Sequence, residues 1–258
     1  MLQTIAPSLR IDSAHLCFGE QQIFTDFSLT LASGKTTVLL GQSGVGKSVL
    51  LKMLLNQHTW HNQPGISAYL RLGIYPQMHI EQAASYIAQS NTLLPWFSVL
   101  DNALLSHKLR HLYVNKPTKL RAQTLLSQLG LGNASTLYPH EISGGMQQRV
   151  IFARTLLQDR PILLLDEPFS ALDTVTKLAL YGLIETFFKD KTICWVTHDP
   201  LEAILMADDI FIMHGRPVKI TQFDVGLDKQ RDFKNEAVQH RYGALMQQLI
   251  ACQEIQCT

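Results

Sequence analysis

Long apolar stretches are missing from this sequence. The most sustained, Ile162 to Leu165 and the segment from Thr92 to Leu100, fall far short of the about 20 residues that a bilayer-spanning helix requires. The opening segment, Met1 to Arg10, has no apolar centre of the kind a signal peptide needs. The chain is therefore expected to remain in the cytoplasm, with any membrane association supplied by a partner. Excess charge of one sign is missing too. Lysine and arginine total 22 against 21 acidic residues, a formal net charge of +1, so no surplus of cations exists to neutralise a nucleic-acid backbone. Cysteine is scarce. Cys17 and Cys194 sit in apolar runs, and Cys252 and Cys257 lie in the tail at no metal-binding spacing. They read as buried or incidental thiols in a reducing compartment. Repeats and low-complexity tracts are also lacking.

What is present is an alternation of short β-type and helical segments, in a chain of 258 residues with 46% hydrophobic and 17% charged residues. That pattern predicts an α/β fold with a mostly parallel central sheet. Leu9 to Phe18 and Ile23 to Leu31 read as an N-terminal antiparallel pair joined by the Gly19–Glu20 turn. Thr36 to Leu40 is a short buried strand, and Lys47 to about Asn56 a helix with Val49, Leu50, Met53 and Leu54 on its apolar face. Between 91 and 157 helices dominate: Val99 to Leu109, Thr118 to Leu129 and Met146 to Leu157. Strands resume at Ile162 to Leu165 and Thr192 to Thr197, with a helix from Thr174 to Phe188 between them. A helix from Pro200 to Ala207, a hairpin around His214–Gly215–Arg216, and a polar tail with one helix near Ala237 to Ile250 complete the chain. The expected organisation is a core of residues 8–90 and 158–220 (one domain of about 8–235), an inserted helical subdomain at 91–157, and a tail at 221–258. The segment 57–85 has no clear assignment.

Two motifs carry chemistry. Gly41-Gln42-Ser43-Gly44-Val45-Gly46-Lys47-Ser48 satisfies G-x-x-x-x-G-K-[ST], with an apolar strand before it and a helix after it. Glycines let such a loop turn its amides on phosphate oxygens, and the helix start adds its positive dipole end. Lys47 then reaches the β- and γ-phosphates, and the Ser48 hydroxyl ligates Mg²⁺. The second motif is Asp166-Glu167, emerging from the buried run Ile162 to Leu165. Asp166 is placed beside the magnesium, and Glu167 where it polarises a water at the γ-phosphate. Together these predict a P-loop NTPase (RecA-like) core.

The run Tyr138-Pro139-His140-Glu141-Ile142-Ser143-Gly144-Gly145-Met146-Gln147-Gln148-Arg149 resembles the signature of ATP-binding cassette (ABC) transporters, usually written LSGGQ. Ile142 stands for the usual leucine, and Gln147 where a basic residue is common. Ser143 is a good N-cap, and the two glycines open the helix start to a second phosphate. The resemblance spans about residues 8–220 and implies further roles. Phe18 stands where an aromatic stacks on adenine, Gln89 matches the glutamine that senses Mg²⁺ and the attacking water, Asp173 of Ser170–Asp173 matches the interface-crossing D-loop, and His198 matches the switch histidine at the γ-phosphate. It implies ATP and Mg²⁺ as cofactors, with Glu167 as general base. It also implies two copies closing head to tail around two ATP molecules, so that Ser143, Gly144 and Gly145 act on the other copy's nucleotide.

Residues Tyr138 to Glu141 resemble bacterial importers, whose two permease subunits are separate chains served by a periplasmic binding protein. That places the subunit on the cytoplasmic face of the inner membrane, with no nucleic-acid partner. Asn91 to Asn102, containing Leu94-Pro95-Trp96, resembles the group serving nitrate, sulfonate, taurine and pyrimidine-precursor uptake. Leu93, Leu94 and Trp96 read either as subdomain core or as surface for a permease. The tail is too short for the regulatory domain that some members carry. Rival classes fit less well. Asn115-Lys116-Pro117-Thr118 begins like the guanine motif N-K-x-D of a GTPase but lacks its aspartate, a small-molecule kinase leaves Ile142 to Met146 unexplained, and non-transport cassette ATPases need coiled-coil arms or two cassettes.

Overall fold

The computed structural model describes residues 6–55, 66–89, 93–110, 114–170, 172–228 and 231–254. The chain divides into two compact units, Met1–Ala84 with Pro161–Asp166 and Phe188–Thr258, and Ser85–Arg160 with Glu167–Phe187.

The first unit holds two sheets. In one, β1 (Ser8–Phe18) pairs antiparallel with β2 (Gln21–Leu31) and with β4 (Ile66–Tyr75), in the order β2-β1-β4. Strand β4 lies within the unassigned segment, and its signal is a period of two: Ile66, Ala68, Leu70, Leu72 and Ile74 alternate with Ser67, Tyr69, Arg71, Gly73 and Tyr75. The second sheet contains the sequence β6 (Ile162–Asp166), β7 (Thr192–Thr197), β3 (Thr36–Leu40), β8 (Asp209–His214) and β9 (Lys219–Phe223). All but β9 run parallel. Every residue of β3, β6 and β7 is buried, as expected of parallel strands covered on both faces. Trp195 on β7 is fully buried and meets Phe188 edge-on at 6.0 Å. Around this sheet pack α1 (Lys47–Leu55) and α8 (Pro200–Met206), and α9 (Glu236–Glu254) lies on α8 and β8. The α2 helix (Ile80–Ala83) leads into β5 (Ala84–Ile87), which straddles the division between units.

The second unit is mainly helical: α3 (Val99–Ala103), α4 (Leu105–Leu109), α5 (Lys116–Gln128), α6 (Gly144–Leu157) and most of α7 (Thr174–Phe188). The helix expected from Val99 to Leu109 is split at Leu104, whose φ of −84° and ψ of 1° tighten the turn so that His107 N–H donates to Leu104 O at 3.0 Å. Among the described residues no helix is long and apolar enough to cross a membrane.

Asn102 organises the region before and around α3. It is fully buried. Its amide nitrogen donates to the carbonyls of Leu94, Phe97 and Ser98, at 3.0, 2.9 and 3.2 Å, and its Oδ1 accepts from Leu94 N–H at 2.8 Å. Arg154 of α6 donates to Asn102 O at 3.0 Å. The loop from Leu94 to Ser98 is thus held by a side chain instead of a regular ladder. Replacing Asn102 with leucine should strip the side-chain bonds to Leu94, Phe97 and Ser98 while keeping the volume and the Arg154 bond to the backbone carbonyl, leaving part-buried backbone groups unpaired at a cost of about 1–3 kcal/mol. Urea unfolding of the variant beside the wild type measures it, and an unchanged midpoint would contradict this role.

Candidate nucleotide site

The phosphate loop begins where β3 has no room for a side chain. A Cβ on Gly41 would lie 2.6 Å from Met213 O on β8. The loop then turns through Gly44 at φ +81° and Gly46 at φ +122°, conformations that favour glycine. Gln42, Ser43 and Gly44 are exposed at its tip, while Val45 and Gly46 are buried. Lys47 opens α1 with only 4% exposure and donates from Nζ to Gly41 O at 2.8 Å and Gln42 O at 2.9 Å. The ammonium therefore lies inside the curl of the loop.

Register brings the other strand ends to the same edge. Thr197 pairs with Leu40 across β7 and β3, and Asp166 with Val196 across β6 and β7. Asp166 is buried and accepts a hydrogen bond from Ser48 Oγ at 2.8 Å. A hydroxyl and a carboxylate converging in this way form an all-oxygen donor set, the kind that suits a hard cation such as Mg²⁺. Burial, followed by the Asp166 charge, pushes the Cys194 thiol on β7 up to about 12. His198 is the exposed residue just past β7. Asp199 then caps α8, its side chain accepting from Leu201 N–H at 2.9 Å. Phe18, partly buried, ends β1 on the antiparallel sheet, just before the Gly19 turn.

In the second unit, Glu167 is 8% exposed and has a φ of +47°, a left-handed conformation that strains a residue bearing a Cβ. Its Oε2 accepts from Gln89 Nε2 at 3.2 Å, and its carbonyl from Gln148 Nε2 at 3.4 Å. The glutamine and the acid assigned to the water are thus joined directly. Ser143 caps α6, its Oγ accepting from Met146 N–H at 3.2 Å. A Cβ on Gly145 would fall 2.6 Å from Leu172 Cδ2, the tip of a side chain that would have to shift. Gly144 has no such neighbour within the described residues: a Cβ there would meet nothing within 4 Å. Both Asp173 carboxylate oxygens are used on α7, bonding Thr176 N–H at 3.0 Å and Thr176 Oγ1 at 2.6 Å. These bonds hold its pKa below the usual carboxylate value.

Three contributors were not evident from the motifs. Arg216, in the β8–β9 turn, donates to Gly44 O at 3.2 Å. That turn is stitched to β2 by Val218 N–H on Ile23 O at 2.8 Å. A cavity of about 650 Å³ is lined by Gln42 to Val45 together with His214, Arg216 and Lys219. Gln148, on the backbone of Glu167, belongs to the same α6 that Ser143 starts. The sequence marks the Arg216 turn through Gly215 and carries Gln148 within the signature run, but their partners lie 172 and 19 residues away.

Comparison with known proteins agrees with these features. Residues 24–170 match the ABC transporter family. An uncharacterized ABC transporter ATP-binding protein of Haemophilus influenzae is 34% identical over 242 residues, covering 94% of this chain and 97% of the relative. The aliphatic sulfonates import ATP-binding protein SsuB 1 of Paracoccus denitrificans is 33% identical over 213 residues, 82% of this chain and 81% of the relative. Among solved structures, a metal-chelate type ABC transporter in an inward-facing conformation has a similar fold, with a TM-score of 0.69 and 22% identity over 84% of this chain and 83% of that one. With more than half of its residues matched to the family and a relative aligned almost end to end, the chain belongs to the ABC transporters, as one of their ATP-binding, ATP-hydrolysing subunits.

Proposed function

We propose that this subunit energises an importer of a small solute, of the nitrate, sulfonate, taurine or pyrimidine-precursor type, through two separate permease chains at the cytoplasmic face of the inner membrane. The import role and the sulfonate end of that range rest on relatives named as aliphatic sulfonate import proteins. In this reading two copies close head to tail on two ATP molecules. Gly144 is the observation that carries the cross-subunit part. Its missing side chain answers to no packing within the described residues, so the bare amide at the start of α6 is available to a phosphate brought by the second copy.

Lys47 neutralises the β- and γ-phosphates, and Ser48 and Asp166 would hold a magnesium ion, whose charge would offset that of the phosphate oxygens. Glu167, oriented by Gln89, takes the proton of the attacking water. His198 keeps water and phosphate in line, Phe18 stacks on the adenine, and Asp173 approaches the interface while capping α7. Trp96 is 67% exposed and therefore not core, and we assign it to the permease contact as an amphipathic anchor.

The base assignment predicts that Glu167→Gln retains ATP binding while turnover drops by about 10²- to 10⁴-fold, with ATP-bound dimers accumulating. Turnover within a few-fold of wild type would remove Glu167 from that role. For Phe18, alanine should weaken ATP binding by ~1–3 kcal/mol and tyrosine should change it little, as read by titration of a fluorescent nucleotide. Equal affinity in wild type and Phe18→Ala would contradict stacking. Trp96→Ala should leave the melting temperature and nucleotide affinity of the isolated subunit unchanged. In vesicles with the permease it should uncouple hydrolysis from uptake, and normal coupled uptake would end the anchor assignment.

A further inference from the structure

The switch histidine and the C-terminal tail are connected by α8. This helix has only seven residues, too few to be stable unless its neighbours hold it. Its N-terminal end is tied by Asp199 and by Glu202, which is 2% exposed and accepts from Thr197 Oγ1 at 2.6 Å. Thr197 Oγ1 in turn accepts from Asp199 N–H at 3.0 Å. His198 stands between these two bonded residues, in the short link from β7 to α8.

The C-terminal end of α8 is tied by the tail. Arg231, partly buried, donates from Nη1 to Ile204 O at 2.9 Å and to Ala207 O at 2.6 Å. Its Nη2 donates to Leu227 O at 3.0 Å and its Nε to Asp228 O at 2.9 Å. Two of these four acceptors are carbonyls at the end of α8, which otherwise lack helical partners. A cation there also meets the negative end of the helix dipole. The planar fork of a guanidinium serves four carbonyls in two segments at once, whereas an ammonium is a single point charge on three donors. Beyond it, α9 packs on α8 with Val238, Leu245 and Leu249 buried.

We propose that Arg231 is a positioning residue for hydrolysis: with α9 it braces α8, and through α8 it sets the place of His198. The tail is then part of the motor and not an appendage to it. Because α8 is about 10 Å long and bound at both ends, releasing its C-terminal end lets it tilt, and the histidine link at the other end moves with it. Displacement by about 1 Å at a reacting centre is enough for a large loss of rate. ATP binding is unaffected, because Lys47 and the phosphate loop are anchored on β3 and α1.

The inference rests on His198 acting at the γ-phosphate, so the test carries His198→Ala beside the Arg231 variants. Full-length wild type, Arg231→Ala, Arg231→Lys and His198→Ala are compared for kcat and KM of Mg·ATP hydrolysis, for affinity towards a fluorescent nucleotide, and for melting temperature. The expected result is a kcat lower by about tenfold or more in Arg231→Ala, with KM and affinity within about twofold, the split that marks loss of a transition-state arrangement. Arg231→Lys should be intermediate, and millimolar guanidinium should restore part of the rate to Arg231→Ala alone. A folded Arg231→Ala with wild-type kcat, beside an inactive His198→Ala, overturns the brace and leaves the histidine assignment standing. Wild-type kcat in His198→Ala overturns that assignment, and the brace with it. Should Arg231→Ala fail to fold, the lysine variant decides: undiminished kcat in that protein contradicts the proposal.

Discussion

In the parallel trio β6, β7 and β3, Asp166 faces Val196 and Thr197 faces Leu40, so the strands stop within a residue of one another. Each of the three is closed to solvent along its length, so their backbone groups pair with one another and not with water. The consequence is chemical. Gly41, His198 and the Asp166 carboxylate are delivered to one edge, where open α/β sheets bind their ligands. The 2.8 Å bond from Ser48 to Asp166 depends on it. A slip of one strand would separate them.

The second unit holds a complementary set with different constraints. Glu167 keeps a left-handed backbone and a near-buried carboxylate, tied to Gln89 at one end and Gln148 at the other. Strain at such a position persists only where neighbours fix it, and α6 supplies one of them. The same helix begins at Ser143 and Gly144, so the element that carries the proposed contact to the other copy's nucleotide also bonds the backbone of the proposed base. Asn102 and Arg154 hold the loop before α3 to α6 as well. This gives the exposed Trp96 a firm mounting instead of a floppy one.

Much of this was legible because the decisive groups are local. Eight consecutive residues specify the phosphate loop, and strand β3 and helix α7 fall where the apolar pattern places them. Their signals are complete within a short window, and glycine, lysine and serine are there for backbone and charge reasons that need no distant partner. What was not legible depends on partners far along the chain. Arg231 looks like one more polar residue in a tail, since the carbonyls it serves on α8 lie 24 and 27 residues earlier. Asn102 sits in an apolar helix with nothing nearby to mark it as a hub. Strand β4 lies in the segment left without an assignment: its alternation needs β1, 48 to 67 residues earlier, as a template before it becomes a strand of a sheet. The break at Leu104 is a local dihedral event that apolar periodicity does not register.

The central claim is that one copy's phosphate loop and another copy's α6 start enclose a single ATP, and co-production of two inactivated chains tests it most directly. One chain carries Ser143→Arg and the other Lys47→Ala, each with its own tag, and the mixture is sized with Mg·ATP. The account predicts that neither variant alone forms a dimer. Together they form a mixed dimer that retains ATP at the one site built from an intact Lys47 and an intact Ser143. Dimers formed by Ser143→Arg alone as readily as by the wild type would contradict it.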